Sequence, residues 1–139
     1  GANKLDRIRI AINYSFVLSG VWGILIALPL LIFSNDFSNL FSYNAAVQIY
    51  LIDYLKIISL SYIFWGWSNI ASSAFNGYQK PFIAMLIFLS RLFIITVPLV
   101  LIGNYYYGLT GILFGIMISN VISGILSVIY TKTSLSLKI

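Results

Sequence analysis

Four apolar runs order this chain. Residues 10–33, 57–75 and 109–130 carry no formal charge, and residues 82–102 carry one. A helix of about 20 apolar residues crosses the roughly 30 Å hydrocarbon core of a bilayer, and each run is of that order. Inside lipid the backbone must satisfy its own hydrogen bonds, which leaves helices or closed barrels. The period-two alternation of a barrel strand is missing. The pattern therefore predicts an all-α polytopic membrane helix bundle, a single membrane domain with four transmembrane helices over about 10–33, 47–75, 82–102 and 109–130. The second helix begins well ahead of its apolar core because Asn44 is a good N-cap. Polar and turn-forming residues punctuate the runs. Ser34-Asn35-Asp36 ends the first, and the aromatic and polar stretch 37–43 suits a short interfacial helix. Asn76 to Pro81 reads as a turn, with Pro81 in the first turn of the third helix. Gly103-Asn104 closes that helix, and Tyr105-Tyr106-Tyr107-Gly108 leads into the fourth.

Composition narrows the function classes. The chain is 60% hydrophobic and only 8% charged, against about 25% charged in soluble domains. It has no Cys, His or Glu, and its carboxylates are Asp6, Asp36 and Asp53. That set offers no disulfide, no metal site and no imidazole or thiol catalyst, so an enzyme is not expected. The net charge of +5 comes from scattered residues without a polar face around them, so nucleic acid is not an expected partner. Lipid is. The chain opens at Gly1 in a basic stretch and reads as part of something longer, with no cleavable signal apparent. Lys4, Arg7 and Arg9, then Lys80, then Lys132 and Lys138 all fall on one side of a four-span layout. Lys56 lies on the other, beside Asp36 and Asp53. The positive-inside rule then puts both termini in the cytoplasm of a plasma-membrane protein. Tyr50, Tyr54 and Tyr105 to Tyr107 form an aromatic belt at the outer interface.

Two helices carry small residues at every fourth position: Ala11, Ser15, Ser19, Gly23 and Ala27 in the first, and Gly111, Gly115, Ser119, Ser123 and Ser127 in the fourth. Lipid supplies no hydrophobic drive between helices, so such ladders mark packing faces. Arg91 sits mid-way along the third helix, where a charge faces the bundle interior or a wet cavity. It is either a tether between helices or a participant in transport, and the ring of Trp65 or Trp67 is within its expected reach. Ser61, Trp65, Ser68, Asn69 and Ser72 share one face of the second helix. That stripe either lines a cavity with Arg91 or supplies interhelical hydrogen bonds. Asn13 and Asn120 read as packing contacts. Pro29 and Pro98 bend the outer halves of their helices.

Four short motifs, in order, resemble the multidrug and toxic compound extrusion (MATE) family. Gly1-Ala2-Asn3-Lys4-Leu5-Asp6-Arg7 is similar to the cytoplasmic loop before the third helix of each six-helix half. Ser73-Ala74-Phe75-Asn76-Gly77-Tyr78-Gln79-Lys80-Pro81 resembles the turn after the next helix. Arg91 with Pro98 is similar to an R-L-x-x-x-x-x-P helix. Gly108-Leu109-Thr110-Gly111 with Ser119-Asn120 is similar to the last helix. The resemblance covers essentially the whole chain and fits helices nine to twelve of a twelve-helix transporter. It implies Na⁺- or H⁺-coupled antiport of amphipathic or cationic small molecules, with no cofactor and with the upstream helices of the same transporter as partners. Two departures stand out. The helix where some members carry a coupling carboxylate has none here, and Lys80 occupies a turn position that is often acidic. The alternatives are a lipid-linked saccharide flippase of the same superfamily and a four-span membrane scaffold.

Overall fold

In a computed structural model the backbone is described for residues 2–136 and the side chains for 7–134. The expectations for Gly1 and for the side chains of Lys4, Asp6 and Lys138 lie outside the described residues. The elements are α1 (Ala2–Ile32), α2 (Ser34–Phe41), α3 (Ala45–Ser59), α4 (Tyr62–Gly77), α5 (Pro81–Leu89), a π-helical segment (Ser90–Thr96) and α6 (Val97–Ser136). No strand occurs among the described residues.

Local chemistry explains most boundaries. α1 continues through Pro29 and stops three residues later. Asn44 caps α3, its Oδ1 accepting from the Ala46 N–H at 2.9 Å. Pro81 opens α5, where its missing N–H costs nothing. At the end of α4 the Lys80 N–H bonds the Phe75 carbonyl and the Gln79 N–H bonds that of Asn76, which is a Schellman closure. The left-handed residue in it is Gln79, at φ 57°, although Gly77 is nearby.

The second span departs from expectation. It is a bent pair, α3 and α4 meeting at 53°, with the break at Leu60–Ser61 and neither Pro nor Gly there to announce it. The third span is also irregular. Pro98 cannot donate to the preceding turn and its ring crowds the carbonyl four residues back. The turns before it widen to i→i+5 bonds, as in the Val97 N–H to Leu92 carbonyl.

The apolar helical stretch Pro81–Ser134 is 54 residues long, or about 80 Å at 1.5 Å per residue, far longer than a bilayer is thick. It folds back on itself at Gly108, whose φ of 58° and ψ of −137° break the helix. Only glycine adopts that conformation cheaply. The reversal brings Gly103 against Gly111, backbone to backbone, and Gly115 against Leu99, where an added Cβ would lie 2.8 Å from the Leu99 carbonyl oxygen. Residues 81–107 and 109–134 are thus two antiparallel legs. With α1 and the bent pair they make four apolar legs around a central α4, which packs on α1, α5 and α6. Arg9 acts electrostatically on Tyr78, whose phenol is raised above its ordinary value chiefly by burial. The rings of Phe75 and Tyr130 lie 5.4 Å apart. The start of α1, the end of α4 and the end of α6 therefore share one end of the bundle.

Candidate functional site: a guanidinium held between three legs

The π-helical segment carries Arg91, and its geometry is set from two sides. The Thr96 hydroxyl donates to the Arg91 carbonyl at 2.9 Å and also bonds the Ser119 hydroxyl across the hairpin. The Arg91 Nη2 donates to Asn120 Oδ1 at 2.9 Å. Asn120 Nδ2 in turn donates to Ser61 Oγ at 2.9 Å. The Ser61 hydroxyl donates to the Ile58 carbonyl at 2.7 Å, beside the break between α3 and α4. A relay thus connects the third, fourth and second legs at the level of their two helix irregularities. Ser61 and Asn120 are fully or nearly fully buried, whereas Arg91 is half-buried. Arg91 meets a neutral amide, and among the described residues no carboxylate pairs with it.

Beyond the guanidinium lies a cavity of about 600 Å³ between the two hairpin legs, walled by residues such as Ile83, Leu86, Ile87, Ile95, Leu126 and Tyr130. Among the described residues Arg91 is the one charged residue lining it. A second cavity of about 630 Å³ flanks the hairpin glycines and has no charged lining residue among the described residues.

The expected polar stripe of the second span divides. Ser61 and Ser68 are buried against the fourth leg, Ser68 within 3.4 Å of Ser123 and 3.5 Å of Ser127. Ser72 donates to the Ala84 carbonyl at 3.4 Å. Trp65, 48% exposed, and Asn69 turn outward on the rim of the same helix. Of the six residues proposed as cavity-lining, Arg91 borders the 600 Å³ cavity and the other five do not. The expected contact of Arg91 with Trp65 or Trp67 gives way to the amide of Asn120, because the Trp67 indole donates to the Phe16 carbonyl of α1 at 3.0 Å. Asn120, read from sequence as a packing residue, holds the guanidinium. Its place in the Ser119-Asn120 pair was the available signal. Ser61 was singled out in the polar stripe of the second span, and only the helix break beside it had no sequence signal.

Gly111, Gly115, Ser119, Ser123 and Ser127 are all buried. On α1, Gly23 and Ala27 are buried and Ser19 half-buried, with Ser19 against Gly66 and Gly23 against Ile63. Ser15 is exposed, its hydroxyl donating back to the Ala11 carbonyl at 2.9 Å. Asn13 is exposed as well.

Comparison with known proteins agrees with this architecture. The sequence profile described as MatE matches residues 1–102. The chain is 30% identical over 125 residues to a protein of Shewanella oneidensis named FAD transporter, covering 90% of this chain and 28% of that protein. It superposes on the crystal structure of the Vibrio cholerae MATE transporter VcmN in the bent form with a TM-score of 0.91 and 25% identity, over 98% of this chain and 31% of that one. A multidrug resistance MATE family transporter of the MOP superfamily, in an inward-facing conformation, gives a TM-score of 0.90 at 18% identity over 99% of this chain and 32% of that one, a likeness of fold. The chain spans less than a third of the length of each.

Proposed function

The chain belongs to the MatE family of multi-pass membrane transporters, and from that premise we propose that it forms the closing four helices of a secondary transporter for amphipathic organic compounds. The observation that carries this reading is the match of the whole four-leg bundle to a MATE transporter at a TM-score of 0.91. The remaining helices, supplied by the rest of the protein, complete the substrate cleft. The outward rim of α4, with Trp65 and Asn69, suits such a cleft: an amide is expensive against lipid and cheap against water. Substrate export is driven by inward Na⁺ or H⁺. Because α4 holds no carboxylate, the coupling site belongs to other helices. The protein resides in the plasma membrane with both termini cytoplasmic, as the basic end of the bundle suggests.

The test is export of drugs, dyes and flavins from efflux-deficient cells expressing the intact gene, with and without a Na⁺ or H⁺ gradient. Gradient-dependent export is expected, and solute movement indifferent to both gradients would overturn the coupling. The four-span scaffold alternative predicts no solute movement under any condition. A lipid-linked saccharide flippase predicts movement of that lipid in reconstituted vesicles and none of soluble solutes.

A further inference from the structure

We infer that Arg91 is the anchor of an anion-binding site whose ligand is an amphipathic organic anion, with its phosphate or carboxylate at the guanidinium and its apolar body in the cavity between the hairpin legs. The proposal rests on the transporter reading and adds a site whose substrate charge is opposite to that of an organic cation.

Three observations converge on it. The first is an electrostatic deficit. A guanidinium at membrane depth is costly and is normally paired, yet Arg91 meets only a neutral amide oxygen among the described residues. Asn120 uses one lone pair of that oxygen to orient the planar fork and leaves the positive charge uncompensated. Bidentate capture of a carboxylate or phosphate is what such a pre-oriented fork does best. The second is shape. The cavity beside Arg91, at about 600 Å³, falls within the roughly 300–1,000 Å³ of small-molecule sites, which pair apolar walls with a few placed polar groups. The third is selectivity. The other cavity has similar volume and apolar walls but no charge, and the described carboxylates, Asp36 in α2 and Asp53 in α3, do not line the one beside Arg91. Among the described residues lining it none carries a negative charge, and the Arg91 guanidinium repels a cation.

The test uses the intact purified transporter in detergent, with flavin adenine dinucleotide as the anionic probe and ethidium as the cationic one. Binding is read by fluorescence and folding by the thermal unfolding midpoint. Wild-type protein is expected to bind the flavin dinucleotide, and Arg91→Gln to weaken that binding at least tenfold, with Arg91→Lys in between. Asn120→Asp is the decisive variant. It preserves size and places a carboxylate against the guanidinium, so it should weaken flavin binding at least tenfold while the midpoint holds or rises. Anionic lipid as the true source of the phosphate would appear as flavin binding unchanged by Arg91→Gln together with loss of phosphatidylglycerol retention, and would overturn the substrate assignment. A carboxylate from another helix would appear as an Arg91→Gln protein with a lowered midpoint and undiminished binding, and would overturn it too. Ethidium binding without flavin binding by the wild type sinks the anion site but leaves the transporter reading standing. Flavin binding lost in both variants, with no solute moved by wild-type vesicles, keeps the site and removes the transport reading.

Discussion

Two helices bear the same sequence ladder, and the fold uses them differently. In the leg after Gly108 every rung is buried: Gly111 against Gly103, Gly115 against Leu99, Ser119 against Thr96, and Ser123 and Ser127 facing Ser68. In α1 Ser19 and Gly23 meet α4, Ala27 is buried, and Ser15 lies exposed with its hydroxyl turned onto its own helix. The small residues are alike and the partners are not. The fourth leg is flanked by the third along one stretch and by α4 along the next. The N-terminal half of α1 still runs beside α4, where Phe16 is buried and its carbonyl accepts from the Trp67 indole, but Ser15 points away from that contact. A small-residue ladder therefore states that a helix can be approached closely, and the neighbour decides whether it is.

That contrast orders the effects of mutation. Gly111→Leu should be the most damaging, since any Cβ there collides with the backbone of Gly103. Overpacking a side-chain core costs about 1–3 kcal/mol, and a backbone collision cannot be relieved by a rotamer change. Loss of the monodisperse peak of the intact transporter in size-exclusion chromatography is expected, and a normal peak would break the comparison. Gly23→Leu should cost about 1–3 kcal/mol, because the new side chain meets both the backbone and the side chain of Ile63 on α4. A fall in the thermal midpoint checks it. Gln79→Gly should stabilise by about 1 kcal/mol, because Gln79 adopts a left-handed conformation that glycine takes without steric cost. It also contrasts the two turns that bound the third leg, one closed by Gln79 and the other by Gly108. Ser68→Ala should cost only about 0.6 kcal/mol, the average for such contacts in membranes, as its long bonds to Ser123 and Ser127 suggest. Ser15→Leu, at the exposed end of the α1 ladder, should change the stability of the intact transporter by less than about 0.5 kcal/mol. A large fall in its thermal midpoint would show that another helix packs on that face.

The candidate site was only partly legible in the sequence. Arg91 stood out because a charge among apolar residues is visible in one dimension. Its partner did not, since Asn120 lies on another leg and an isolated asparagine looks the same whether it packs or holds a cation. The five polar residues of the second span share one helical face on paper. The bundle divides them because α6 covers only the side with Ser61 and Ser68, leaving Trp65 and Asn69 on the rim. The break at Leu60–Ser61 carried no Pro or Gly signal. It shows only once the carbonyl of Ile58 is seen accepting from both the backbone and the hydroxyl of Ser61.

By itself the sequence determined an all-α chain of four apolar stretches with turns near 34–44, 76–81 and 103–108, and the structure moves the end of the third leg from Gly103-Asn104 to a reversal at Gly108. The stretches and turns are matters of apolar length against bilayer thickness and of which residues tolerate a turn, and both are local. The tertiary structure alone decided which ladder closes, which amide orients the guanidinium and which cavity that charge faces. These depend on how four rods rotate about their axes when they meet, and rotation is set by contacts between residues far apart in the chain.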